Sequence, residues 1–409
     1  MNPMGVGAIH AVPANKVNEG TEIRQTMPAT ITAALFSPYY PAHGGGLELA
    51  CEDLARMLTV VGISVEWSSQ RTGAVPDLDE VQCTPLPGTD VIYSLSGVPF
   101  PIPAPWNLSK ISKVVRRADV VIIAEANFIL SVVAFLIGKW HRKPILIVQH
   151  VGEPSTVSKL ARLIMRIGER VAVRPMLRRA NGVVCVSPVV ARHFGDLPQE
   201  RFHTIGHSID VDLFRPPIDE RERFSDQNRL NLGHGKIACF AGRLTRSKGI
   251  EIMAEIAARR PDWTFAIAGI GPIDPSTWKL DNIVVLGQLD REDMARLFRA
   301  SDVMILPSPS ESFSLVVREA MASGCGVLCS PQIVETDPGI APHIETETVD
   351  IDDAEATAAG FAAALDRNSG RSTNTARAYV IEQCAPDVVR RRYADLVIRL
   401  GPNGEGIIR

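Results

Sequence analysis

The chain has seven cysteines in 409 residues and no Cys-x-x-Cys pair; the closest two, Cys325 and Cys329, are four positions apart. That scatter offers neither a zinc knuckle nor a disulfide framework. Cys185 and Cys239 lie inside apolar runs, where cysteine behaves as a small hydrophobe, so all seven read as reduced thiols of a cytoplasmic protein. An excess of one charge is also lacking. The 43 Lys and Arg stand against 46 Asp and Glu, and the small net charge points to no nucleic-acid partner. Long hydrophobic runs are missing too: the longest, residues 128–138, falls well short of the ~20 residues a membrane-spanning helix needs. Residues 1–29 have no apolar core and read as a disordered tail, not a secretory leader. Asp77 and Asp79, and likewise Asp210 and Asp212, alternate without further ligands nearby, so no metal site is read. What remains is an ordinary globular composition, 45% hydrophobic and 22% charged, at a length of roughly two to three domains.

Short β-branched runs alternate with helical patterns throughout, the signature of βαβ units and parallel sheet. Residues 30–36, 63–67, 120–124, 144–149 and 182–186 read as strands, with a helix over about 47–61. The pattern restarts with strands over 236–241, 263–268, 283–286 and 303–306 and helices over 249–259 and 291–300. Residues 209–227 are polar, charged and proline-bearing, which predicts a linker near residue 210. The expectation is an α/β chain of two Rossmann-like, doubly wound lobes with a cleft between them. Residues 30–208, joined by an amphipathic closing helix within 386–402, form the acceptor-side lobe, and residues 209–385 form the other. Ligands of such sheets bind beyond the carboxyl ends of the strands.

Residues 306–330, LPSPSESFSLVVREAMASGCGVLCS, carry the most chemistry. Glu311 and Glu319 straddle the start of a helix predicted over 314–323, with Pro309 and Ser310 as turn and cap and Gly324 as the stop. A helix start attracts an anion through its free N–H groups and dipole, whereas carboxylates suit sugar hydroxyls. A nucleotide-sugar combines both demands. Upstream, the strand ending at Ala241 runs into Gly242 and Arg243, and Lys248 follows shortly after. Two cations plus about half a charge from a helix end roughly balance a diphosphate, leaving no need for a metal. Glu319, on a half-buried helical face, needs a partner, either a ribose diol or a core salt bridge. Glu311 either meets the transferred sugar or complements the helix start. In the first half, His43-Gly44-Gly45-Gly46 opens a helix, where Gly45 and Gly46 allow a phosphate or sugar to approach. Gly269 ends a strand where a base could stack, and His150 ends the strand ILIVQH at the cleft edge.

Together these residues resemble the retaining glycosyltransferases of family 4, which have the GT-B fold, over about residues 30–400. The E-x7-E pattern ESFSLVVREAMASG is the most specific element, followed by AGRLTRSKG and SIDVDLFRP; GGGLE and QH match more loosely. The resemblance implies a nucleotide-diphosphate sugar donor (UDP- or GDP-linked) and no separate cofactor. Arg243 and Lys248 would bind its diphosphate, Glu319 its ribose, and Glu311 with the backbone of Ser312, Phe313, Ser314 and Leu315 its sugar. Gly45 and Gly46 would meet the phosphate, Gly269 the nucleotide and His150 the sugar. The catalytic set is then His150, Glu311, Arg243 and Lys248, and the acceptor is a glycan or lipid-linked. Two departures from the family pattern stand out: Gly326 replaces a usual proline, and PQIVETDPGIAPHIETE replaces a glycine-rich turn. The rivals are a nucleotide-sugar epimerase, a non-catalytic two-lobed sugar-binding protein and, with less support, a dinucleotide oxidoreductase.

Between residues 139 and 179, ten Lys or Arg face only Glu153 and Glu169. Arg162, Arg166, Arg170, Arg174 and Arg178 recur every fourth residue, with Leu160, Leu163, Ile164, Ile167 and Val171 between them. A helix kinked before Pro175 would carry the arginines along one side. That side is either a solvated face or a patch for anionic lipid headgroups on the inner face of a membrane.

Overall fold

The computed structural model describes residues 31–43, 46–71, 73–89, 101–152, 159–367 and 374–402. Two all-parallel sheets organise them. The first contains β1 (Thr32–Tyr39), β2 (Ser64–Gln70), β3 (Val81–Leu86), β4 (Val120–Ala124), β5 (Ile145–Gln149), β6 (Gly182–Cys185) and β7 (Phe202–Thr204), in the order β3-β2-β1-β4-β5-β6-β7. The second contains β8 (Lys236–Ala241), β9 (Trp263–Ala268), β10 (Ile283–Gly287), β11 (Val303–Leu306), β12 (Gly326–Cys329) and β13 (Glu345–Thr346), in the order β10-β9-β8-β11-β12-β13. Strands covered on both faces must be apolar along their whole length. VVIIA of β4 and ILIVQ of β5 are accordingly buried at every position. Each sheet reverses its winding once, between β1 and β4 and between β8 and β11, so each lobe has a crevice beyond the carboxyl ends of those two strands.

Three expectations need correction. β1 runs to Tyr39, beyond the expected end at residue 36. Ser37, Tyr39 and Tyr40 break the apolar pattern, but they are satisfied inside the sheet: Trp67 Nε1 donates to Ser37 Oγ (2.8 Å), and Tyr40 donates to the carbonyl of Trp67 (3.0 Å). The expected linker is not a bare connector. It holds a helix, Glu220–Arg229, whose first turn is capped by Asp219. Its polar residues are used in pairs, Arg215 with Glu222, Arg223 with Asp302, and Asp226 with Arg299. Arg377 fastens the segment by donating to the carbonyls of Val211, Phe214 and Ala322.

The arginine-rich helix is not one column of charge either. A helix over Lys159–Gly168 passes through a π-turn, Glu169–Val173, into a short helix, Arg174–Arg179. A π-turn closes i→i+5 bonds and breaks a four-residue repeat. Arg174 turns inward to Glu169 (2.7 Å) and Asp196, whereas Arg166, Arg170 and Arg178 are exposed. The side chain of Arg162 lies outside the described residues. Leu163, Ile167 and Val171 are exposed too, at 55%, 55% and 71%, so their stripe is left uncovered. Among the described residues, no helix is long and apolar enough to cross a membrane.

The closing helix, Pro386–Leu400, buries Val389, Tyr393, Ala394 and Val397. It lies on the first lobe: Val389 and Tyr393 line a small cavity with Cys51 and Leu54 of helix α1 (Gly46–Val60). None of the seven cysteines is joined in a disulfide.

Candidate active site

The carboxyl ends of β8 and β11 bring two loops together. Gly242 and Gly269, both at positive φ, press their backbones against one another: a Cβ on Gly269 would lie 1.8 Å from the carbonyl oxygen of Gly242. Gly269 therefore joins the β8 and β9 loops. Its N–H is spent on the carbonyl of Gly287 (2.7 Å), which leaves the expected nucleotide contact without that donor. At Gly249, φ is 72° and a Cβ would lie 2.1 Å from the carbonyl oxygen of Pro307. The turn before it is thus pulled onto the β11 loop. Lys248 as a result donates to Glu311 at 2.5 Å, although the two lie far apart in the chain. Two residues read separately, as a diphosphate cation and a sugar acceptor, form one ion pair. Arg243 is exposed at the end of β8 and has no ion pair among the described residues.

The helix carrying the second glutamate is Leu315–Ala322, preceded by Ser314 at φ 53° and ψ 83°. Ser310 is not its cap, and no side chain caps it. Its start is left open by a serine in the left-handed region, which costs a residue with a Cβ. Ser314 Oγ is buried without a partner. The backbone N–H groups of Ser314 and Leu315 have no acceptor among the described residues. Glu319 is half-buried one turn on, and burial raises its carboxyl to about pKa 7. Arg291 opposes the shift and Asp53 of α1 in the first lobe reinforces it, so this carboxyl lies where the two lobes meet.

His150 follows β5 at the opposite wall and is buried. It stacks on His207 (5.2 Å between centroids), which in turn meets the edge of Phe313 (5.0 Å). Phe313 reaches across because Gly206 has no side chain; a Cβ there would lie 2.3 Å from the ring. Burial, then the neighbouring His207, drives His150 well below the ordinary imidazole pKa, and burial with the charge of Arg318 lowers His207 to about 4. Both rings are neutral near pH 7, and His150 Nδ1 has no partner. Beneath them lies Glu125, at φ 67° and fully enclosed. Its carboxylate accepts from the N–H groups of His150 (2.9 Å) and Val151 (3.0 Å) and from the amides of Gln149 and Asn127. Sequence reading missed His207, Glu125 and Arg318. Only Arg318, a charge inside the apolar run LVVREAMA, left a signal. Gly46 opens α1 with nothing near its Cβ position, while Gly45 lies outside the described residues.

Comparison with known proteins decides the class. A family model described as Glycosyltransferase Family 4 matches residues 44–213, and one described as Glycosyl transferases group 1 matches residues 235–367. The chain is a glycosyltransferase of family 4 with the GT-B fold. Among its relatives is the D-inositol 3-phosphate glycosyltransferase of Arthrobacter sp. (strain FB24), 24% identical over 325 residues that cover 70% of this chain and 74% of that protein. Among solved structures, sucrose-phosphate synthase from Thermosynechococcus elongatus superposes with a TM-score of 0.68 at 20% identity, over 90% of this chain and 99% of the other. The Anabaena protein HepE, solved in complex with UDP, gives 0.70 at 16% identity, over 90% and 99%. Both structures share the fold with this glycosyltransferase.

Proposed function

We propose that this glycosyltransferase moves a hexose, with retention of configuration and without a metal, from a nucleotide-diphosphate sugar to a glycan or lipid-linked acceptor in polysaccharide, lipopolysaccharide or glycolipid assembly. The observation that carries this reading is the Lys248–Glu311 pair at the open mouth of helix Leu315–Ala322, with Arg243 on the adjoining loop. The departing diphosphate would gather negative charge as the glycosidic bond lengthens. Arg243, Lys248 and the unbonded N–H groups of Ser314 and Leu315 supply preorganised positive charge and dipoles there, usually the largest contribution to such a rate. Glu311 holds the Lys248 ammonium in place before the donor arrives and accepts from sugar hydroxyls afterwards. Glu319, lifted to about pKa 7 by burial, gains two donors when a ribose diol meets it. His150, neutral and with an unpartnered nitrogen, suits an uncharged sugar. HepE was solved with UDP and with UDP-glucose, which supports a uridine-linked donor.

Thermal stabilisation by a panel of nucleotide-diphosphate sugars, with and without chelator, tests the reading. A ligand at 100 times its Kd adds about 2.7 kcal/mol. A panel giving no shift overturns the donor, and a shift lost in chelator overturns metal independence. The anomeric configuration of the product, read by NMR, tests retention. An epimerase would need acid and base flanking one carbon. His150 and His207 are instead stacked on each other, which disfavours that reading.

The uncovered stripe of Leu163, Ile167 and Val171, bordered by Arg166 and Arg170, supports peripheral attachment to an anionic membrane on its cytoplasmic side. Such a face gains both apolar burial and headgroup attraction. Co-sedimentation with anionic vesicles that ignores salt, or none at all, counts against it.

A further inference from the structure

Arg318 is fully buried, at 0% exposure, behind the helix start. It emerges from an apolar helix face where a guanidinium is costly unless its donors are used; Nε has no partner, but both terminal nitrogens are engaged. Nη1 donates to two consecutive carbonyls, those of Phe313 and Ser314 (3.1 Å to the latter), and the group lies 3.9 Å over the Phe313 ring. Nη2 reaches Thr336 Oγ1 (3.4 Å) and Asp337 (3.3 Å). Asp337 is itself held by Tyr379, which donates to it at 2.6 Å. In a trans, planar peptide the N–H points opposite to the C=O. A cation gripping the Phe313 and Ser314 carbonyls therefore turns the N–H groups of Ser314 and Leu315 the other way. It also polarises them, because a hydrogen bond at one end of a peptide strengthens the other end. Both are among the N–H groups at the helix mouth that have no acceptor among the described residues. Between them sits Ser314, a non-glycine residue at φ 53° that the local chain would otherwise leave.

We propose that Arg318 is a positioning residue: through the Phe313 and Ser314 carbonyls it holds Ser314 in the left-handed conformation and aims two backbone N–H groups at the donor's diphosphate. The proposal rests on the donor site assigned above. It makes Arg318 an internal strut for the loop and separates that task from its ion pair with Asp337.

A double-mutant cycle tests it, with binding of uridine diphosphate measured by calorimetry. R318M is expected to weaken binding about tenfold or more, the scale of a left-handed residue losing its support. In a Ser314→Gly background, where that conformation is free, the same change should cost threefold or less, because coupled residues depart from additivity. Asp337→Asn, which removes only the ion pair, should leave binding within threefold. Equal losses for R318M in both backgrounds, or a loss in Asp337→Asn as large as in R318M, would overturn the proposal and leave Arg318 a core salt bridge. R318K, which keeps a cation but cannot hold both carbonyls, carries the same cycle if R318M does not fold. The backbone chemical shifts of Ser314, read by NMR, supply a readout that needs no nucleotide. They should leave the left-handed range in R318K; unchanged shifts in R318K refute the strut. Failure of the wild type to bind any nucleoside diphosphate would refute the donor assignment, and the Ser314 shifts would still decide the role of Arg318.

Discussion

On the second-lobe wall of the cleft, Arg243, Lys248, Glu311 and Glu319 surround an open helix start, and ionic groups set the chemistry. On the first-lobe wall, His150 is buried and His207 half-buried, both neutral and stacked; Glu125 points at backbone N–H groups, and Asp53 of α1 lines the cavity beside the rings. The same doubly wound lobe has thus been finished in two ways. On the wall proposed to receive the phosphate chain, Lys248 is paired with Glu311 while Arg243 is left to solvent, so the less exposed of the two cations is not stranded. The wall proposed to receive a sugar has no full charge to meet, and neutral rings there cost less to bury than ions would while excluding water. The division implies that substitutions on the second wall change donor affinity as well as rate, whereas those on the first change turnover with little effect on donor affinity.

The hardest test of that division is Lys248→Ala. It removes a cation proposed to meet the diphosphate and strands Glu311, whose side chain is only 9% exposed. Donor affinity should fall on the order of 100-fold or more, since one charge-assisted contact is worth about 3 kcal/mol in such a site, while circular dichroism stays unchanged. A Lys248→Ala variant that still binds the donor well would break the comparison at its strongest point. Glu319→Gln should come next, weakening nucleotide binding by roughly 30-fold as one hydroxyl acceptor is lost. It should also stabilise the empty protein at pH 8 by on the order of 2 kcal/mol, because a carboxyl raised to about pKa 7 is held charged there at a cost. Lost affinity with gained stability is the mark of a binding residue; losing both would make Glu319 a structural one. On the opposite wall, His150→Gln should leave donor affinity within threefold and lower kcat about tenfold.

Much of the second wall was legible in the chain because its chemistry is local. ESFSLVVREAMASG carries both glutamates and the helix between them, and GRLTRSKG carries both cations within six residues. The Lys248–Glu311 pair was not legible, since it depends on Gly249 packing against Pro307 across the sheet. The first wall gave less away. His207 lies on the crossover and Glu125 at the end of β4, and only the parallel pairing of β4 with β5 brings that carboxyl under His150. Strand ends misled where polar side chains satisfied one another, as Ser37 and Trp67 do. Only the latter part of the polar run read as a linker became a helix, Glu220–Arg229, because its charges pair with the second lobe. Arg318 was visible as an oddity, but its use was not, because Asp337 comes from the segment that replaces the family's usual turn.

A gentler probe of the second wall is pH. In the proposed role Glu319 would accept ribose hydroxyls best when ionised, and its carboxyl is raised to about pKa 7. Nucleoside diphosphate affinity should therefore rise about tenfold between pH 6 and pH 8, as expected for one group titrating across that window. Glu319→Gln should flatten the profile. A profile unaltered by that substitution would place the titrating group elsewhere.

The smallest effect expected is in the pH dependence of stability without ligand, where both walls contribute. Glu125 and Glu319 each have a folded pKa raised by burial to about 7, above the ordinary carboxyl value. A raised carboxyl favours the folded state fully below its unfolded pKa, and that contribution is lost as pH rises towards the folded value. The melting temperature should therefore fall between pH 5 and pH 8 by a few degrees, on the order of 2 °C for each kcal/mol lost in a chain of this size. Saturating nucleoside diphosphate should cancel the part due to Glu319, because the ribose supplies hydrogen bonds to the ionised form. It should leave the part due to Glu125, which meets only the protein's own amides. Ligand that removed the whole slope would mean that the two carboxyls titrate as one site, and the separation of the walls would fail.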